Sequence, residues 1–597
     1  MPYTPLVFKP GINRFSTGYS NEGSWYEADK VRFRDGRPET IGGWQSEALV
    51  GSLLGICRTK LTWRTNNGAI LEALATSEGL WVNSDGTLYD ITPIRQAFPT
   101  EANALSITSG SSTLTIAATS HGASVAERVE LSGYDLTGAG ISLSELNATH
   151  VIAAVPDANT VEVTLDETAS STVSGGGGTG DINFLLSPGA EGTVFGDGWG
   201  AGSFGVEAYG TPRTTLVEAS RARVWSLDNW GEILVGTYRN GTPVKWDPSN
   251  DGLPVRASAI TNAPKADALL VSSPDRHLVL LGSVIPGESD INRLCVRWSS
   301  QEDFTDWTVT ATNTAGYQLL GNGSEILAGK QASRQIMIWS DTTITAMQYI
   351  GPPFTFGFQP LDSTPRITSR NAAVEVNGTV MWFGLNSFYL FDGVARVLPC
   401  TIKDIVFDNT NIAQTEKFFG VVNQEFNEIW WFYVSAESEE IDRYVIYDYV
   451  GQTWSYGTLA RTVWEDSGIN DKPTALDVDG NYYIHERGTS ADGANLNAYV
   501  ESAPFDIGEG DYLMFVRGIV PDARMVGSDT MEITLKGRRY PNGTETTYGP
   551  YTIDDLTDRV RTRLRVRQVT FRYESDGTDL FWQGGKPRLE IKPQGRY

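Results

Sequence analysis

The sequence predicts a mainly β chain, organised as a β-propeller of about six blades with a small β domain inserted into it. Three observations predict this. Apolar and aromatic residues alternate or run for four to eight positions, and no long 3.6-residue stripe is present. Asn-Gly and Asp-Gly pairs stand between many of these runs and supply the positive-φ residues of tight hairpins. Strand-and-turn units of roughly 40–50 residues recur from about 215 to 490, which is propeller-blade spacing. A tandem of β-sandwiches is the competing arrangement.

Taken in order, residues 1–100 hold an N-terminal segment and the first propeller strands. Their clearest hairpin is Leu80-Trp81-Val82-Asn83-Ser84-Asp85-Gly86-Thr87-Leu88-Tyr89, with Asp85-Gly86 as its turn. Residues 101–190 change character: Trp and Tyr nearly vanish, Thr, Ser, Ala and Gly rise, and Arg128 is the one basic residue against ten acidic ones. That stretch ends in a flexible Gly-rich run at 174–180 and reads as an inserted acidic β domain. Residues 191–500 carry the propeller strands, among them 233–235, 277–281, 335–339, 379–383, 428–433 and 444–447. From 501 to 597 the pattern changes again, to a C-terminal β domain with an arginine-rich strand and a short basic tail.

Composition narrows the function. The chain has 597 residues, 47 basic and 72 acidic, for a net charge of −25. That charge argues against a general nucleic-acid coat or a polybasic membrane binder. No run approaches the roughly 20 apolar residues of a membrane span, and the N-terminal residues lack an apolar signal core, so a soluble, non-exported chain is expected. Cys57, Cys295 and Cys400 lie too far apart for a zinc knuckle or a disulfide framework. Only His121, His150, His277 and His485 are available for histidine chemistry.

Catalytic motifs are scarce. A GxGxxG match at Gly200, Gly202 and Gly205 has no strand before it and no helix after it, as a dinucleotide site requires. Ser84-Asp85-Gly86-Thr87 faintly resembles the aspartate box of sialidase-like propellers, where it shapes a hairpin. Asp303 and Asp306, near Trp298 and Trp307, could form a sugar-binding pair or a solvated loop over packed tryptophans. The expectation is no enzyme, no cofactor and no metal. Trp298, Trp307 and Trp382 are expected in the core or between blades.

Positive charge gathers at the end of the chain. Residues 558–597 hold ten Lys/Arg and five Asp/Glu. Arg559, Arg561, Arg563, Arg565 and Arg567 alternate with other residues, so on a strand they line one face. Like charges side by side repel, which calls for an acidic partner or phosphate. Arg32, Arg34 and Arg37, around the Asp35-Gly36 turn, repeat the pattern. These eight arginines are the candidate assembly interface.

The segment Lys30-Val31-Arg32-Phe33-Arg34-Asp35-Gly36-Arg37-Pro38-Glu39-Thr40-Ile41-Gly42-Gly43-Trp44 resembles the start of the tail nozzle proteins of short-tailed bacteriophages. These are also called tail tubular protein B or packaged-DNA stabilisation proteins. The resemblance continues in the Gly/Trp run at 196–205, at 296–299 and 303–307, at 348–360, at 536–543 and in the 559–568 strand. It implies a structural virion protein whose propeller carries a platform β domain made from the chain ends and an inserted tip. It also implies a homo-oligomer, a hexameric ring below the portal and the tail adaptor protein, assembled in the host cytoplasm. Tail fibre or spike proteins and a tail needle are further partners. Packaged double-stranded DNA would pass through the lumen without sequence readout and be retained until ejection. An anionic wall suits that passage, since a basic lumen would hold DNA through counterion release. The acidic insert is expected at the distal opening, as part of a gate. The alternative is a virion-associated propeller that binds or cleaves host surface glycans; a bacterial surface adhesin is a third reading.

Overall fold

The computed structural model describes residues 3–15, 17–193, 220–362, 366–506, 512–540 and 543–595. The fold is mainly β and of the β-propeller class: strand takes 52% and helix 4%. The chain forms two compact units, residues 49–318 and residues 1–48 with 319–597.

The unit 49–318 contains three four-stranded antiparallel sheets. The first runs Cys57–Arg64, Ile70–Thr76, Leu80–Ser84 and Thr87–Asp90, the second from Ser226–Trp230 to Ser258–Ala259, and the third from Ala266–Ser272 to Gly316–Leu319. Turn chemistry fixes the register. Thr87 pairs with Ser84, and Asp85 and Gly86 between them have φ of 51° and 79°, as a two-residue hairpin requires. Between the first and second sheets lies an eight-stranded sheet, opened by Ile94–Ala102 and closed by Thr179–Leu185, which pair with each other. It has its own core, including Leu105, Leu114, Ile116, Val161, Val163, Ile182 and Phe184. Of its two arginines, Arg128, the one basic residue of 101–190, is buried and bonded to Asp90 at 2.8 Å, and Arg95 is bonded to Glu127 at 3.1 Å.

The other unit holds four more such sheets. They begin with Ile326–Gln331, Ala373–Val376, Phe419–Asn423 and Val463–Glu465. The last is completed by the N-terminal strand Trp44–Glu47, paired to Tyr482–His485. Seven four-stranded sheets of this kind are therefore present among the described residues, not about six. The repeat count from 215 to 490 leaves out the sheet before the insert, which is complete in itself.

Both chain ends share three further sheets in this unit. Tyr3–Pro5 pairs with Arg588–Gln594, Ser24–Asp29 with Ala498–Ser502, and Arg37–Thr40 with Leu580–Gly584. One aromatic core binds the unit, with Phe388 within 4.9 Å of both Trp431 and Trp454, and Trp430 stacked 5.4 Å from Trp464. Burying rings of this size supplies the largest apolar gain per residue.

Candidate functional sites: an arginine face and a polar cleft

The two arginine groups have different fates. The strand Val31–Arg34 turns at Asp35-Gly36 into Arg37–Thr40, with Arg34 opposite Arg37. Arg34 and Arg37 are exposed, beside a cleft of about 370 Å³ that Phe33, Phe426, Asp448 and Val450 help to line. Arg32 is 1% exposed, and this removes it from the docking set. Its Nε lies 3.0 Å from Glu428, its Nη atoms clasp Glu486, and the Phe426 ring sits 3.6 Å below the guanidinium. The physical reason is that this strand is covered on both faces, so its inward arginine needs buried carboxylates. Burial works against the charge on Arg32, but Glu428, Glu486 and Glu39 outweigh it and hold its pKa above the ordinary value. One guanidinium cannot serve three carboxylates equally. Burial pushes Glu428 up to about 7 despite Arg32, and it pushes Glu39 upward as well.

The strand Val560–Val566 is the opposite case. Val560, Thr562, Leu564 and Val566 are buried, whereas Arg561, Arg563 and Arg565 are exposed. It forms one edge of the sheet whose other strands are Leu513–Val520, Arg588–Gln594 and Tyr3–Pro5. Register extends the basic character across that outer face. Arg565 is opposite Phe515, which is opposite Lys592; Arg561 is opposite Gly518, which is opposite Glu590. Arg517 is exposed at a bulge between these rows, and exposed Arg588 pairs with Val520. Arg559 reaches across Gly518 to bond Glu590, and a Cβ at Gly518 would stand 2.8 Å from its Nε. The face thus gathers Arg517, Arg559, Arg561, Arg563, Arg565, Arg588 and Lys592 around one carboxylate, Glu590. Arg567 lies half-buried just past the strand, its backbone N–H donating to Arg538. Among the described residues no ion pair neutralises Arg517, Arg561, Arg563 or Lys592.

A second feature was not legible in the sequence. A cleft of about 380 Å³ is lined by Asn495, Asn497, Tyr499, Glu532, Arg572, Glu574 and Asp576. Glu532 and Glu574 are directly opposite on neighbouring strands. Arg572 lies 3.7 Å over the Tyr499 ring and bonds Glu574 at 2.7 Å and Glu501 at 3.3 Å. Burial raises the Glu532 carboxyl, and Glu574 and Asp576 raise it further. Two carboxyls side by side, one of them ion-paired, are groups of the type that acid–base chemistry uses. The alternation within each strand was visible, but the pairing of two strands about 40 residues apart was not.

The remaining candidates are structural. Asp303 accepts from the backbone N–H and hydroxyl of Thr305, and Asp306 accepts from Asn313, so both acids shape their loop. Trp298, Trp307 and Trp382 are buried, the first two donating indole N–H bonds to the carbonyls of Thr314 and Phe304. All four histidines are buried; the His277 Nδ1 is 3.1 Å from Asp275. Ser84 to Thr87 form the hairpin already described. The glycine run at 196–205, including the GxGxxG match, lies outside the described residues. No group of three or more metal-ligating side chains occurs among the described residues, and no described helix is long and apolar enough to cross a membrane.

No family model and no curated protein matches this chain. Solved structures of similar fold include the phage phi92 endosialidase, at 10% identity over 72% of this chain and 63% of that one, TM-score 0.18. The Trypanosoma rangeli sialidase matches at 10% identity over 63% of this chain and 92% of its own, TM-score 0.26. The Porphyromonas gingivalis surface component PorZ of the type-IX secretion system matches at 8% identity over 90% and 82%, TM-score 0.29. Glycoside hydrolases are among the others. The expectation that this chain is no enzyme is therefore withdrawn, because the similar folds reported are mostly those of glycan-cleaving proteins. Likenesses this distant assign no activity to this chain.

Proposed function

We propose that this chain is a ring-forming structural part of a short phage tail, a nozzle that extends the DNA channel below portal and adaptor. One observation carries the reading: a sheet woven from both chain ends presents seven cations and one carboxylate, in a chain whose net charge is −25. Such a face is stabilised by an anionic partner, so it favours a protein that works in an assembly. The resemblance at residues 30–44 and 348–360 supports the same reading, and the inward-spent Arg128 leaves the insert with the acidic outer character that suits a DNA passage. Imaging of intact virions tests it. Density for this chain on the tail axis below the portal is the expected result; lateral spikes away from the axis would contradict it.

A second reading, action on host surface glycans, is favoured by the Glu532–Glu574 cleft. Polysaccharide cleavage by the purified chain, lost in Glu532→Gln, would establish it. Unchanged glycan size would dismiss it.

A further inference from the structure

The loop leading into the arginine strand has the opposite charge. It reads Asp554-Asp555-Leu556-Thr557-Asp558, and Leu556 at its tip is 84% exposed. Its shape is fixed locally. The Asp554 carboxylate accepts the Leu556 N–H at 3.2 Å and the Thr557 hydroxyl, while the Thr557 hydroxyl oxygen accepts the Asp554 N–H at 3.0 Å. A preformed loop loses little conformational freedom on docking. Asp555 and Asp558 are exposed, and neither pairs with a cation among the described residues. One β domain thus carries an anionic knob with an apolar tip and a cationic face with a half-buried aromatic, Phe515, in one of its rows.

We infer that these two patches are the two halves of one contact between copies of this chain: the 554–558 loop of one copy seats on the arginine face of the next. Leu556 packs toward Phe515 while Asp555 and Asp558 meet Arg561 and Arg563. The inference rests on the ring reading and names the surface that makes the ring. Charge complementarity selects this occupant. Two different patches of one chain meet head to tail, so the contact repeats and closes into a ring where the rotation allows. Duplex DNA is the competing occupant, since guanidinium groups also grip phosphate.

Charge exchange on the full chain tests it. Arg561→Glu with Arg563→Glu makes the face repel the loop, and Asp555→Lys with Asp558→Lys makes the loop repel the face. Asp554 and Thr557, which hold the turn, are left in place. By native mass, wild type should assemble into multiples of 65.2 kDa, and each variant alone should stay at 65.2 kDa. An equimolar mixture of the two variants should reassemble, because every contact then pairs opposite charges. Assembly of either variant alone as in wild type, or a mixture that stays monomeric, overturns the inference. Retention of duplex DNA that is lost only in the face variant, with assembly unaffected in both, overturns it in favour of nucleic acid. A wild-type chain that is monomeric throughout would instead defeat the ring reading itself.

Discussion

Two strands written in nearly the same code, Val31–Arg34 and Val560–Val566, put their arginines to opposite uses. In the first, hairpin pairing and the covering residues bury both faces, and Arg32 becomes a buried tie between Glu428 and Glu486. In the second, one face stays open and three arginines point outward from a buried Val/Thr/Leu row. Alternation therefore tells which side chains share a face, but burial is decided by what the rest of the chain lays over it. Glu428 and Glu486, which claim Arg32, arrive roughly 400 and 450 residues later in the sequence.

The largest effect separating the two regions should come from Arg32→Ala. It strands Glu428, Glu486 and Glu39 in the core, and breaking such a buried set costs about 3–5 kcal/mol. Urea unfolding of this variant beside Arg561→Ala checks the contrast. If Arg32→Ala were no more costly than Arg561→Ala, the distinction between tie and docking face would fail.

Acidity sharpens the same contrast. The Glu428 pKa is raised in the folded chain, from 4.5 to about 7, so the folded state binds its proton more tightly than the unfolded state does. The stability this contributes is full below pH 4.5 and is lost as pH rises through about 7. Glu39 shifts in the same direction. Unfolding midpoints measured across that window should fall with pH, and Glu428→Gln should flatten the slope. A slope unchanged in that variant would place the titration elsewhere.

Gly518→Ala should have a smaller effect. Its new Cβ would displace the Arg559 guanidinium from Glu590, a partly buried pair (34% and 10% exposed) of the kind worth about 1–2 kcal/mol. Thermal unfolding should therefore move only slightly. A loss of several kcal/mol would mean that this face is held together internally, rather than open to a partner.

The smallest stability effect is expected for Arg561→Ala with Arg563→Ala, within about 0.5 kcal/mol of wild type. Assembly should nevertheless weaken, and electrophoresis of the native particle reads that directly.

Much of the fold was legible because its signals are local. Asp85-Gly86 and Asp35-Gly36 specify two-residue hairpins whatever surrounds them, and the aromatic run at 428–433 is a buried strand in any β architecture. The blade count was not legible, since the insert separates the sheet at 57–90 from the repeats it belongs with, and Trp44–Glu47 completes its sheet by pairing with Tyr482–His485 more than 430 residues away. The site was legible in part. The stripe on Val560–Val566 faces outward as its alternation implies, but its extension through Arg517, Arg588 and Lys592 depends on strand neighbours the sequence does not name. The acidic cleft depends on the same kind of pairing.

The ring contact requires that the arginine face be occupied by protein in the working particle. Sedimentation of the purified full chain at rising salt addresses that most directly. A ring-sized species that dissociates to 65.2 kDa as salt screens the contact is the expected result. A particle of 65.2 kDa at every salt and protein concentration would contradict it.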